Sequence, residues 1–148
     1  MRRGDGDEAT PEARRMGSLT FEELDFLYMP STDVAADLAF YEDKLGGRVV
    51  FAIEAFGARV AQVEISSVSP RLVLADHLSG EAPILVHRVK DLEATLKELA
   101  ARGLQLDERF EIPHGPCCTL ASPGGQRLAL YELTRPEANR RFDGRRDF

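Results

Sequence analysis

The sequence predicts an α+β fold in which one β-α-β-β-β module is written twice. Three observations carry this. "FLYMPSTDVAADL" (26–38) lies over "ILVHRVKDLEATL" (84–96), matching Asp33 to Asp91 at an offset of 58 residues. With one residue dropped, Gly46 lies over Gly103. "RLVLAD" (71–76) then lies over "RLALYE" (127–132) at an offset of 56. Two copies are too few for a solenoid, so a duplicated module is the reading.

Each copy opens on a strand, Leu24 to Met29 and then Ile84 to Val89. A helix follows. Asp33 and Asp91 are good N-caps, because a short side-chain oxygen can accept from the free backbone N–H groups of the first turn. Val34, Leu38, Tyr41 and Leu45 recur at spacings of three and four, as do Leu92, Leu96 and Leu99, so each helix has one apolar face. Gly46 and Gly103 suit the left-handed residue that ends a helix. Three strands complete each copy: 48–55, 58–66 and 71–75, then 106–112, 117–121 and 127–133. "FGA" (56–58), "SVSP" (67–70), "PHGP" (113–116) and "SPGG" (122–125) punctuate them. Short hairpins imply mostly antiparallel pairing.

These elements divide the chain into a first module (22–79) and a second (80–134), together one domain over 22–134. Residues 1–21 read as a disordered arm, polar and without apolar period, and Met16 is a second candidate start. Residues 135–148 read as a solvated tail with five arginines, Arg135, Arg140, Arg141, Arg145 and Arg146.

Composition narrows the function classes. The net charge of −6 opposes broad attraction to nucleic acid. No apolar run reaches the roughly 20 residues of a membrane helix, and the N-terminus has no apolar signal core. Cys117 and Cys118 are adjacent, a poor geometry for a mutual disulfide. A reduced, cytoplasmic setting follows.

"DVAADLAFYEDKLGG" in the first module, with "VKDLEATLKELAARG" and "SPGGQRLALYEL" in the second, resembles the glyoxalase/bleomycin-resistance/extradiol-dioxygenase superfamily, also called the vicinal oxygen chelate superfamily. The resemblance covers about residues 22–134. It implies mixed sheets curled into a cup, helices outside, and a ligand inside. It also implies frequent homodimers. Enzymes of this superfamily typically hold a divalent metal with His, Glu or Gln from the first and last strands of each module. Those positions are here Phe26, Val73, Ile84 and Ala129, none of which offers a lone pair. A slip of one residue would offer Asp25 alone among Leu72, Leu74, Leu85, Leu128 and Leu130. No metal and no cofactor are therefore expected.

Other chemistry is thinly spread. His77, His87 and His114 fall in three separate segments. His114 precedes Cys117 and Cys118, a pairing that can activate a thiolate, although cysteine is also a common core residue. One of the two cysteines should face the cup and the other the helices. Glu54 and Glu64 are acids on middle strands. "SPGGQ" lacks the Lys-Ser/Thr and following helix of a phosphate loop.

Strand alternation, with its face set by the four metal-equivalent positions, gives a cup lining of Leu24, Phe26, Tyr28, Arg71, Val73, Ala75, Ile84, Val86, Arg88, Arg127, Ala129 and Tyr131. Leu27, Met29, Leu72, Leu74, Leu85, Leu128 and Leu130 face the helices. The resulting expectation is a protein that holds a small, partly aromatic organic molecule, as in sequestration of an antibiotic or metabolite, with Arg71, Arg88 and Arg127 meeting an acidic group. Ligand-binding residues are expected at Phe26, Tyr28, Arg71, Val73, Ile84, Val86, Arg88, Arg127, Ala129 and Tyr131. Two alternatives stay open: an enzyme (lyase, isomerase or dioxygenase-like) with a non-standard site, and a structural or regulatory module without ligand.

Overall fold

The computed structural model describes residues 21–148. The expectations for the N-terminal arm and Met16 lie outside them. The elements run β1 (Phe21–Pro30), α1 (Val34–Ala39), a π-helical turn (Phe40–Lys44), β2 (Arg48–Ala55), β3 (Ala58–Glu64) and β4 (Arg71–Ala75). The second half repeats them as β5 (Ile84–Val89), α2 (Leu92–Ala101), β6 (Arg109–Ile112), β7 (Gly115–Ala121) and β8 (Arg127–Glu132). A 3₁₀ helix, Pro136–Arg141, follows.

The eight strands form one curled sheet in the order β2-β3-β4-β1-β5-β8-β7-β6. In each half the first strand pairs parallel with the last, and the hairpins pair antiparallel. The halves join through the antiparallel pair β1–β5, where Phe26 faces Val86 and Tyr28 faces Ile84. These two pairs exchange under the repeat, so the halves are related by a pseudo-two-fold axis between β1 and β5.

Both helices start as their sequences dictate. The Asp33 carboxylate accepts from the Ala36 N–H and that of Asp91 from the Ala94 N–H, each at 3.0 Å. Both end at glycines with positive φ, Gly46 at 71° and Gly103 at 89°. The extra residue of the first copy is absorbed by the π turn. There the Leu45 N–H reaches back five residues to the Phe40 carbonyl at 3.3 Å, and this wider turn is how a helix holds an insertion without shifting its apolar face.

Two cores lie under the helices. Val34 and Leu38 pack on Ala52, Ala61, Val63 and Leu74. Leu92, Leu96 and Leu99 pack on Val89, Cys118 and Leu130. A third core lies on the concave face: Phe26, Val73, Val86, Cys117, Ala129 and Tyr131. The adjacent cysteines thus divide as strand alternation requires, Cys117 to the cup and Cys118 to the helix layer.

Two expectations change. β6 begins at Arg109, not 106: residues 104–108 form no regular element, and Leu106 packs against the α2 core instead. Residues 135–148 are not a solvated tail. The backbone returns across the first half and extends its β2 edge. Gly144 N–H donates to Val50 O at 2.8 Å, Ala52 N–H to Arg145 O at 2.8 Å, and Glu54 N–H to the Asp147 carboxylate at 2.8 Å. The apolar residues of the segment explain this: Phe142 meets the Phe51 ring at 5.5 Å between centroids, and Phe148 joins the α1 core under the Arg59 guanidinium.

Candidate functional site

The concave face encloses a cavity of about 370 Å³, within the range of small-molecule sites. Cross-strand register places its floor. One row runs Gln62, Val73, Tyr28 and Ile84 across β3, β4, β1 and β5. The next runs Phe26, Val86, Ala129 and Thr119 across β1, β5, β8 and β7. All eight line the cavity, together with Phe51, Ile53 and Val60 from the first half and Phe110, Ile112, Pro113, His114 and Cys117 from the second. His77 and Leu78 enter from the loop after β4, and Asn139 and Phe142 from the C-terminal segment.

Of the residues expected from sequence, Phe26, Tyr28, Val73, Ile84, Val86 and Ala129 come together here. The arginines do not. Arg71 pairs with Glu64 at 2.9 Å, and Glu64 also holds Arg48 at 2.9 Å. Burial pulls the Glu64 carboxyl upward, but the hydrogen bonds from these two arginines outweigh it and hold its pKa below the usual value. Glu64 is therefore committed to surface pairing, not to the cup. Arg88 meets Glu22 at 3.0 Å, Glu23 at 3.4 Å and Asp25 at 3.5 Å. Arg127 donates to Ala82 O at 2.7 Å and straps the loop between β4 and β5. The physical reason is common to all three. A guanidinium on a long stem reaches a carboxylate or carbonyl at the rim sooner than it accepts desolvation in an apolar cup.

Tyr131 is also diverted. A break in the β1–β5 register between Leu24 and Phe26 turns Asp25 inward. The Tyr131 hydroxyl donates to its carboxylate at 2.5 Å, and both residues are buried. Leu24 and Ala75 likewise stay out of the lining. Sequence reasoning missed Phe51, Ile53, Val60, Gln62 and Thr119, and left open which of Cys117 and Cys118 faces the cup, because alternation was applied only to the first and last strands. Carried through the hairpins, it finds them.

The polar groups of the cavity are mostly engaged. His114 Nε2 lies 2.9 Å from Asn139 Oδ1, its ring packs 5.2 Å from Phe26, and burial lowers its pKa, so the imidazole is neutral near pH 7. Gly115 fixes this turn, since a Cβ there would collide with the Glu132 carbonyl oxygen. Thr119 donates to Asp107 at 2.7 Å, and Glu111 accepts from Arg135 at 2.6 Å. Burial pushes the Cys117 thiol up to about 12, which removes the thiolate a nucleophile needs. Burial likewise lifts Tyr28 to about 12, so its phenol is protonated. Among the described residues no group of three or more His, Cys, Asp or Glu could hold a metal ion, and the cavity lining includes no Lys or Arg.

No family model and no curated protein sequence matches this chain. Solved structures do. A methylmalonyl-CoA epimerase from Mycobacterium tuberculosis is 20% identical, with a TM-score of 0.64 over 80% of this chain and 91% of that one. A hypothetical protein from Bacillus halodurans is 21% identical, with a TM-score of 0.65 over 76% and 95%. A Streptomyces coelicolor methylmalonyl-CoA epimerase variant in complex with 2-nitronate-propionyl-CoA is 18% identical, with a TM-score of 0.63 over 78% and 96%. The fold is that of the vicinal oxygen chelate superfamily. Within that frame, Phe26, Val73, Ile84 and Ala129 stand where the resemblance puts the metal ligands of its enzymes, and all four line the cavity. Among the described residues no helix is long and apolar enough to cross a membrane.

Proposed function

We propose that this vicinal oxygen chelate fold binds a neutral small organic molecule with an apolar or aromatic body, without metal-centred chemistry at the four superfamily positions. One observation carries the reading. Side chains that would have to coordinate a cation form instead the apolar floor of the cavity. A cation there would lose its hydration and gain no ligand. The same argument revises the acidic ligand expected from sequence. With the three arginines paired at the rim, a carboxylate in the cup would meet no positive charge.

The test is a thermal-shift screen of aromatic compounds on wild type, Ala129→Phe and Val73→Phe. A hit at 100 times its dissociation constant stabilises wild type by about 2.7 kcal/mol. Either phenylalanine fills the floor and removes that gain. Equal shifts in all three proteins would move the site elsewhere. Elemental analysis of protein purified without a metal-affinity tag should find well below one equivalent of Zn, Ni, Fe or Mn, and a stoichiometric metal in the cup would overturn the reading.

The printed names of the structural neighbours favour a second reading, an epimerase of an acyl-CoA. Incubation with methylmalonyl-CoA in deuterated water separates the two. Deuterium incorporation at the carbon between the carbonyls would favour the enzyme, and none is expected. The proposal also takes the chain to be a homodimer, in which a partner covers exposed apolar residues such as Phe40, Leu45, Ile65 and Val68. Sedimentation showing only a 16.4 kDa species at micromolar concentration would refute that part.

A further inference from the structure

Gln62 is a polar residue of the cavity whose side chain no described residue answers. It is 2% exposed and lines the cavity from β3, yet its amide makes no hydrogen bond among the described residues. A side-chain amide carries two donors and an acceptor. Covering such a group with a ligand that leaves it unpaired costs as much as a lost hydrogen bond or more. Its repeat equivalent Thr119 is satisfied by Asp107, so of this pair of positions only Gln62 is left open; in the second half the open atom is His114 Nδ1, whose ring is held through Nε2 by Asn139.

Tyr28 stands near it. Gln62 and Tyr28 flank Val73 in one row of the sheet, facing it from β3 and β1. Their backbones are two strand spacings apart, roughly 10 Å, and both side chains line the cavity from its concave face. The Tyr28 hydroxyl also has no hydrogen-bond partner among the described residues. It remains a donor throughout the neutral range, since burial lifts its pKa to about 12. Between these groups the floor is Val73, with Phe51 and Ile84 at the ends of the row.

We infer that the ligand presents a neutral, planar edge bearing both a donor and an acceptor, as in a carboxamide or lactam, which Gln62 reads in a two-point hydrogen bond and Tyr28 supplements. This rests on the cavity being the ligand site. An acid is the wrong match, because a carboxylate could use the amide N–H but would leave the Gln62 carbonyl unanswered and its own charge unpaired. A pure hydrocarbon would bury both polar groups without a partner.

Three probes share one aromatic body and differ at one group: naphthamide, naphthoate and methylnaphthalene. Their affinities are measured by calorimetry or ligand-observed NMR on the full chain, wild type and with Gln62→Leu, Gln62→Met and Ala129→Phe. On wild type, naphthamide should bind tightest, a ranking that needs no variant to fold. Gln62→Leu and Gln62→Met should each weaken naphthamide about tenfold, the worth of one to two neutral hydrogen bonds. They should leave methylnaphthalene within twofold or tighter. Naphthoate binding tighter than naphthamide overturns the inference. So does unchanged naphthamide affinity in both Gln62 variants while Ala129→Phe abolishes all binding, an outcome that leaves the cavity reading intact. No binding of any probe to wild type would sink both.

Discussion

Where the first half sets Gln62 into the cup, the second sets Thr119; where the first has Phe26 and Val73, the second has Ile84 and Ala129. The helix faces behind them hardly differ. Leu38 and Leu96 are equivalent and buried, and both sit over small or branched residues of the sheet. Duplication thus leaves the convex side constrained by helix packing while the concave side diverges. The edges differ as well. β2 has eight residues and is covered by the returning C-terminal segment, whereas β6 has four and is bordered by Arg109 and Glu111. A long strand edge is a template for unwanted pairing and needs cover. A short one that itself carries charges, as β6 carries Arg109 and Glu111, does not.

The strongest way to break this comparison is to empty the equivalent helix positions. Leu38→Ala and Leu96→Ala should each cost about 2–5 kcal/mol, as buried leucine truncations do. Urea unfolding followed by circular dichroism should show a single transition for both, because β1 and β5 pair along their length and tie the halves together. A biphasic curve in either variant would make the halves independent.

Removing residues 135–148 should come next, at about 3 kcal/mol. Burying a Phe142-sized side chain contributes roughly 1.5–3 kcal/mol when complete, and each edge hydrogen bond adds about 0.5–1.5 kcal/mol. The truncated chain should also aggregate faster through its uncovered β2 edge, read by light scattering. At the other edge, Glu93→Ala breaks only an exposed pair with Arg109 and should stay within about 1 kcal/mol of wild type. Equal losses at the two edges would contradict the account of edge cover.

Tyr131→Phe tests the inward turn of Asp25. The variant keeps the ring but withdraws a donor from a buried carboxylate, for about 1–3 kcal/mol. Tyr131→Phe combined with Asp25→Leu should recover part of that loss, since removing both polar partners spares the unpaired charge.

The smallest effect separates the equivalent arginines by pH. Glu64 has a folded pKa below its usual 4.5, held there by Arg48 and Arg71. A depressed carboxyl pKa gives stability that is present above the unfolded value and is lost as pH falls through the folded one. Arg71→Ala should therefore destabilise at pH 7 and converge on wild type in acid. Arg127 holds a backbone carbonyl, which does not titrate in this range. Arg127→Ala should show a loss that persists to low pH. Parallel pH profiles of thermal unfolding would contradict the assigned partners.

What the sequence by itself determined is what short-range chemistry determines. Asp33 and Asp91 cap helices because the accepting N–H lies three residues away in the same chain. Gly46 and Gly103 end them because a left-handed residue is needed there whatever surrounds it. The repeat offset set the order of elements, strand alternation put Cys117 and Cys118 on opposite faces, and the family resemblance put Phe26, Val73, Ile84 and Ala129 on one face. The partners of long or charged side chains were decided only by tertiary structure. Arg71 is seven residues from Glu64, Arg88 is beside Asp25 only across β1–β5, and Arg127 reaches a loop 45 residues away. The inward turn of Asp25 depends on a break in pairing with another strand, and residues 135–148 fold back because Phe142 and Phe148 find Phe51 and the α1 core. Periodicity says which way a side chain leaves its own backbone. Which charge it meets at the end of a flexible stem depends on what the fold brings within 3 to 4 Å, and that distance is a property of the whole chain.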